Sequence, residues 1–199
     1  MRRRVLAALL GLLALGTGCQ DQRAMVYAPW EEGLGLIFED PRLPADIRWD
    51  ARLQVLVSRS RLGINGERAV DLLVTTQTGQ HHRALVERGG GLYQETEDGH
   101  LLRILPERFP AVQRWREGDL YCRILARGAW LDTRVALPDQ PDRMGIWVER
   151  LSLSDPVQRI RTLYLPDLGE VESWVWIKDA WVCTSRLAGR GWVDAGRGA

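Results

Sequence analysis

The chain is poor in the residues that usually announce chemistry. Its 199 residues hold only three histidines and three cysteines, and Lys178 is the sole lysine. Two of the histidines, His81 and His82, are adjacent, and adjacent strand residues point to opposite faces of a sheet, so they do not converge on one metal. His100 stands apart. No Gly-x-Ser-x-Gly, Ser-x-x-Lys or His-Glu-x-x-His pattern occurs. The Gly89-Gly90-Gly91 run leads into a strand-like segment and therefore lacks the helix N-terminus that would hold a phosphate. Acidic residues such as Glu31, Glu32, Glu39 and Asp40 are plentiful, but a glycosidase needs a carboxylate pair flanking a cleft, which dispersed acids do not specify. These absences point away from an enzyme, a metal centre or a cofactor. Charge of one sign is missing as well: the net formal charge is +1, with no basic stripe for nucleic acid. Long apolar runs are also absent, since Val5 to Leu15 falls well short of the ~20 residues of a spanning helix.

That short run is nonetheless informative. Arg2, Arg3 and Arg4 precede it, and Gly16-Thr17-Gly18 follow it, ending at Cys19. A basic start, an apolar centre and a small-residue exit form a secretory signal. Small residues directly before a cysteine resemble the lipobox of bacterial lipoproteins, although Gly16 stands where that family usually has Leu. The resemblance implies cleavage before Cys19 and acylation of Cys19 by a diacylglyceryl group and an N-acyl chain, palmitate being typical. Two or more chains anchor stably, because each buried methylene contributes about 0.8 kcal/mol. Gln20 rather than Asp after the cysteine implies, by the same resemblance, the periplasmic face of the outer membrane. Residues 1–18 are then signal peptide, 19–26 the lipidated N-terminus and tether, and 27–199 a single domain.

Loss of Arg2 to Arg4 with the leader leaves 24 basic against 26 acidic residues in a mature chain of 181, enough for one substantial core. With Cys19 lipidated, Cys122 and Cys183 remain as a pair in an oxidising compartment. A bridge between them closes a loop of about 61 residues, worth ~4 kcal/mol in the chain-entropy model; the other reading is two separate buried thiols.

The body reads as β throughout. Leu53, Val55 and Val57 fall at alternate positions and share one face, and Leu120, Cys122, Ile124 and Ala126 do likewise, opposed by Tyr121, Arg123 and Leu125. Further strand-like runs are Leu34–Glu39, Val70–Thr76, His82–Glu87, Leu92–Thr96, Leu101–Leu105, Ala129–Ala136, Ile146–Ser152, Ile160–Leu165, Val171–Ile177 and Ala180–Arg186. Turn signals separate them at Asn65-Gly66, Thr78-Gly79, Gly89-Gly90-Gly91, Asp98-Gly99, Glu117-Gly118 and Asp167-Leu168-Gly169. The Pro138–Asp142 segment is the longest loop. Short helical turns are expected around Arg108–Trp115 and Asp155–Arg159. Successive hairpins without helical crossovers predict an all-β fold: a curved antiparallel sheet of about 10–12 short strands, forming an open or half-closed β-barrel.

Tyr93, Asp98-Gly99, Leu105-Pro106 and Trp115, followed by Tyr164 to Val171, resemble a group of bacterial envelope proteins in which an aromatic residue and an Asp-Gly hairpin lead to Leu-Pro and a Trp-containing loop. The resemblance implies a curved antiparallel sheet akin to the half-barrels of periplasmic lipoprotein carriers such as LolA and LolB. It brings no functional residues with it.

Tryptophan is the compositional outlier, with nine in the chain. Trp174 and Trp176 share a strand face with Glu172, and Trp147 aligns with Glu149 and Leu151. Indoles of this kind fill a small β core, line an apolar ligand pocket, or form an exposed platform for a glycan or protein. The favoured expectation is a lipid-anchored envelope binding protein, with a hydrophobic ligand such as a lipid or lipoprotein acyl chain in a half-barrel lined by Trp147, Trp174 and Trp176. The alternative is a structural or assembly subunit of an envelope protein complex without a small-molecule ligand. Replacement of Cys19 by Ser is expected to move the protein from the membrane fraction to the soluble fraction, as read by fractionation and intact mass.

Overall fold

A computed structural model describes residues 24–47, 53–62, 66–96, 98–109, 111–130, 144–155 and 157–193. The signal peptide, Cys19, Trp49 and the Pro138–Asp142 loop lie outside the described residues. After a 3-10 turn at Ala24–Tyr27 the described residues form twelve strands: β1 (Leu34–Glu39), β2 (Leu53–Leu62), β3 (Arg68–Thr76), β4 (Gly79–Arg88), β5 (Gly91–Glu95), β6 (Leu101–Leu105), β7 (Arg114–Glu117), β8 (Leu120–Trp130), β9 (Met144–Ser152), β10 (Arg159–Leu165), β11 (Gly169–Ile177) and β12 (Ala180–Trp192). All pair antiparallel in one sheet, ordered β6-β5-β4-β3-β2-β1-β12-β11-β10-β9-β8-β7. The sheet curls into a barrel that is nearly closed, with one unsealed seam between β6 and β7.

This order is two meanders placed back to back. β1 to β6 run out from the middle in one direction, and β7 to β12 return to it from the other edge. β1 and β12 join the halves, with Leu34 opposite Trp192 and Glu39 opposite Arg186.

Alternation assigns the faces. Leu36 and Phe38 on β1, Val55 on β2, Leu72 and Val74 on β3, and Leu85 on β4 point inward, as do Cys122 on β8 and Tyr164 on β10. Twelve strands enclose more room than the roughly eight whose inward side chains just fill a barrel. Part of the surplus is taken up by a plug at one end. There Tyr27 meets Phe109 edge to face, with ring centroids 5.6 Å apart. The backbone N–H of Asp167 donates to the Val26 carbonyl at 2.7 Å. Gly169, at φ 76°, sits so close to this segment that a Cβ would lie 2.9 Å from Pro29 Cδ; both the angle and the space require glycine. Ala24 is buried, so the folded body reaches into the end of the segment expected to be tether, the rest of which lies outside the described residues.

The signals at Thr78-Gly79, Gly89-Gly90, Asp98-Gly99, Glu117-Gly118 and Asp167-Leu168-Gly169 all fall at turns between strands, and β1 and β6 match the expected spans to the residue. The helical turn expected over Arg108–Trp115 gives way at its end to β7, because Trp115 is needed opposite Cys122 in the ladder with β8. Leu120 through Trp130 is one strand, so the first two residues of the run expected over Ala129–Ala136 belong to β8; the rest lie outside the described residues.

The expected disulfide is not formed: Cys122 and Cys183 are both free and buried. Register explains why. Cys122 lies opposite Arg150 and Trp115 with its side chain in the barrel interior. Cys183 lies opposite Trp174 on the outer face, its Sγ 3.9 Å from Glu172 Oε1. Four strand spacings of about 4.8 Å separate β8 from β12, far beyond the ~7 Å Cα limit for a bridge. Burial raises the Cys122 thiol above its ordinary value. Burial and then Glu172 push that of Cys183 up to about 11. Both cysteines are therefore expected to resist thiol reagents while folded and to label fully in denaturant without reductant. Added reductant is expected to leave the thermal midpoint unchanged.

Candidate functional site

The interior is not filled completely. A cavity of about 250 Å³ remains, walled on one side by β1–β5 through residues such as Leu36, Phe38, Val55, Leu72, Val74 and Leu85. Tyr27, Pro29 and Leu168 floor it at the plugged end. Leu102, on the edge strand β6, lines the cavity yet stays 45% exposed, which places an opening beside the seam.

The opposite wall is polar and organised. Arg150 on β9 donates from Nη2 to Tyr164 Oη at 2.8 Å and from Nη1 to Thr162 Oγ1 at 3.3 Å. Ser173 donates to Glu170 Oε1 at 2.7 Å and lies 3.4 Å from Thr162 Oγ1. Burial alone would pull the Arg150 guanidinium down, but Tyr164 and Glu170 outweigh it and hold the group above its usual value. The Tyr164 hydroxyl is raised, mainly by burial. These groups form a hydrogen-bonded row across β9, β10 and β11, as buried polar atoms require.

A second network spans the seam. Arg103 on β6 donates from Nε to Glu117 on β7 at 3.1 Å and from Nη2 to the Arg116 carbonyl at 3.2 Å. Its Nη1 lies 3.1 Å from Glu107, which also accepts from the Tyr93 hydroxyl. Where ladder hydrogen bonds are lacking, one guanidinium therefore fastens the two edges. Burial, followed by the Glu107 hydrogen bond, pushes the Tyr93 pKa up to about 12. Burial would raise the Glu107 carboxyl, but Tyr93 and Arg103 together hold it below its usual value.

The expected ligand-binding tryptophans lie elsewhere. Trp147, Trp174 and Trp176 are on the outer face of the barrel, because Ile146, Val148 and Arg150 on β9 and Ser173 on β11 take the inward positions. Trp147 and Trp174 come together with Leu125, Arg161 and Trp181 around a separate external groove of about 330 Å³. Trp176 packs edge-on against Trp181 at 5.3 Å. The sequence places these three correctly on shared faces but does not say which face is inside. The interior wall of leucines and valines carries no signal in the sequence beyond ordinary alternation. His81 and His82 lie on β4, and no cluster of three or more His, Cys, Asp or Glu suited to a metal occurs among the described residues.

Sequence comparison is silent: no protein-family model and no curated protein matches the chain. Comparison of structures is not. A putative lipoprotein from Parabacteroides distasonis superposes with a TM-score of 0.55 at 9% identity, covering 83% of this chain and 98% of that one. The two share a fold. A putative exported protein with YmcC-like fold from Bacteroides fragilis superposes with a TM-score of 0.49 at 12% identity, covering 82% and 97%.

The seam makes stability depend on pH in a defined direction. A carboxyl held below its unfolded value contributes stability above that value and loses it as the pH falls. Acidification through the carboxylate range is therefore expected to lower the thermal midpoint of the wild type more than that of Glu107→Gln, as read by circular dichroism melts.

Proposed function

We propose that this chain is a lipid-anchored binding protein of the bacterial envelope that holds an apolar ligand inside its nearly closed barrel. The observation that carries the reading is the unfilled interior cavity, apolar along β1–β5 and reached beside the seam. Well-packed domains leave few voids larger than a water molecule, and a retained apolar cavity takes up small apolar guests. At about 250 Å³ this one lies just below the ~300–1,000 Å³ of drug-sized ligand pockets. It suits a short acyl segment or a similarly slender molecule. Each methylene moved there from water contributes about 0.8 kcal/mol. The leader, Cys19 and Gln20 carry the address in this reading, the periplasmic face of the outer membrane, and the fold shared with a putative lipoprotein supports an envelope location. The protein acts in this reading by holding its guest, with no bond made or broken.

Titration of the purified mature chain with lauric acid, followed calorimetrically, is expected to give one saturable site. Val55→Phe and Leu72→Phe, which fill the cavity, are each expected to weaken it about tenfold or more while overpacking costs only ~1–3 kcal/mol of stability. Trp147→Phe, on the outer face, is expected to leave it unchanged. A folded wild-type protein without saturable binding would sink the proposal.

A further inference from the structure

The outer face of β8–β12 carries a surface that the interior cavity does not explain. Five successive strands contribute one residue each to its groove: Leu125, Trp147, Arg161, Trp174 and Trp181, from β8, β9, β10, β11 and β12 in turn. Two of the three indoles are held by polar neighbours. Trp174 donates its Nε1–H to Glu172 Oε1 at 2.5 Å, and Glu172 also receives Arg186 Nη2 at 3.3 Å. Arg161 lies over the Trp181 ring, 3.9 Å from its centroid. The same Arg161 donates to Glu149 at 3.2 Å, and Glu149 takes Arg123 from its other side.

Burial divides these charges by sign. Glu149 is 1% exposed, whereas the side chains of Arg123 and Arg161 are 41% and 35% exposed. Two guanidiniums thus share one carboxylate that solvent does not reach. What faces outward is indole and leucine bordered by positive charge.

Three kinds of occupant suit such a face unequally. A sugar needs several hydrogen-bonding groups beside its stacking ring, and among the described residues that line the groove Arg161 is the one charged or polar side chain besides the indoles. A bilayer offers a continuous layer of headgroups and acyl chains rather than a single apolar group sized to a groove of about 330 Å³. A protein partner fits best, because rigid indoles with arginine are the composition of interface hot spots. We infer that the outer face of β8–β12 docks a protein partner, which sets one apolar side chain into the Trp147–Trp174–Trp181 groove and pairs a flanking carboxylate with Arg123 and Arg161. This holds whether or not the interior cavity binds a ligand.

The test is a photo-crosslinking residue, p-benzoylphenylalanine, placed at Leu125 in the full chain in its native cells, with a control at His82 on the opposite side of the barrel. The expected result is an adduct specific to Leu125 with one polypeptide, the linked peptide having Asp or Glu within a few residues of an apolar side chain. A synthetic copy of that peptide is expected to bind the purified protein, and about tenfold more weakly once its acids become amides. Trp174→Ala is expected to reduce the adduct about tenfold or more. Should that variant melt early, Arg123→Gln, which leaves Arg161 on Glu149, carries the comparison. Adducts with glycan, lipid or a second copy of the chain overturn the proposal, as does a yield no higher than at His82.

Discussion

A β-sheet that curls without closing leaves two rows of backbone N–H and C=O groups without strand partners, and such rows recruit other chains unless something covers them. In this barrel the two rows, on β6 and β7, face each other. Arg103 reaches across to Glu117 and the Arg116 carbonyl, and Glu107 with Tyr93 holds it from its own side. Much else follows from how that gap is managed. The connection between β6 and β7 sends Phe109 against Tyr27 to plug one end. The cavity meets solvent at Leu102, on the same edge. An ionic fastening rather than a ladder lets a wall be continuous in shape without being continuous in hydrogen bonding.

The strands divide two kinds of apolar residue between two faces. Leucine, valine and phenylalanine of β1–β5 go inward, where they leave a smooth-walled space. The tryptophans of β9, β11 and β12 go outward, where the Trp174 N–H engages the buried Glu172 carboxylate and the Trp181 ring face engages the Arg161 guanidinium. This is economical chemistry for indole, whose polar edge needs an acceptor. The outer wall supplies one in Glu172.

Much of the fold was legible because it rests on local signals. Hairpin turns such as Asp98-Gly99 and Asp167-Leu168-Gly169 need positive φ, and the residues that tolerate it stand at those places. The Lys178-Asp179 turn was not signalled, although both residues adopt positive φ; the ladder between β11 and β12 imposes it. What the sequence concealed depends on register and on inside versus outside. Cys122 and Cys183 look like partners by count alone, and only the ladder shows them on opposite faces. Trp147, Trp174 and Trp176 form correct stripes, but a stripe carries no sign saying which way the sheet curls. Bulges add to this. The extra residue Val171 between Tyr164 and Leu163 partners resets pairing in a way no alternation pattern foretells.

The pairing of β1 with β12 has a consequence for how the chain reaches its final form. The first and last strands lie side by side at the centre of the sheet, while the middle of the chain supplies both edges. Each six-strand half can zip from hairpin to hairpin as it emerges, since those contacts are local. The ladder that unites them joins the most distant strands of the body, and contacts of that separation form slowly. A chain delivered amino end first must therefore wait for Trp192 before Leu34 finds its partner. Until then its leucine-lined concavity stays uncovered, and holding it soluble during that interval falls to whatever receives the emerging chain.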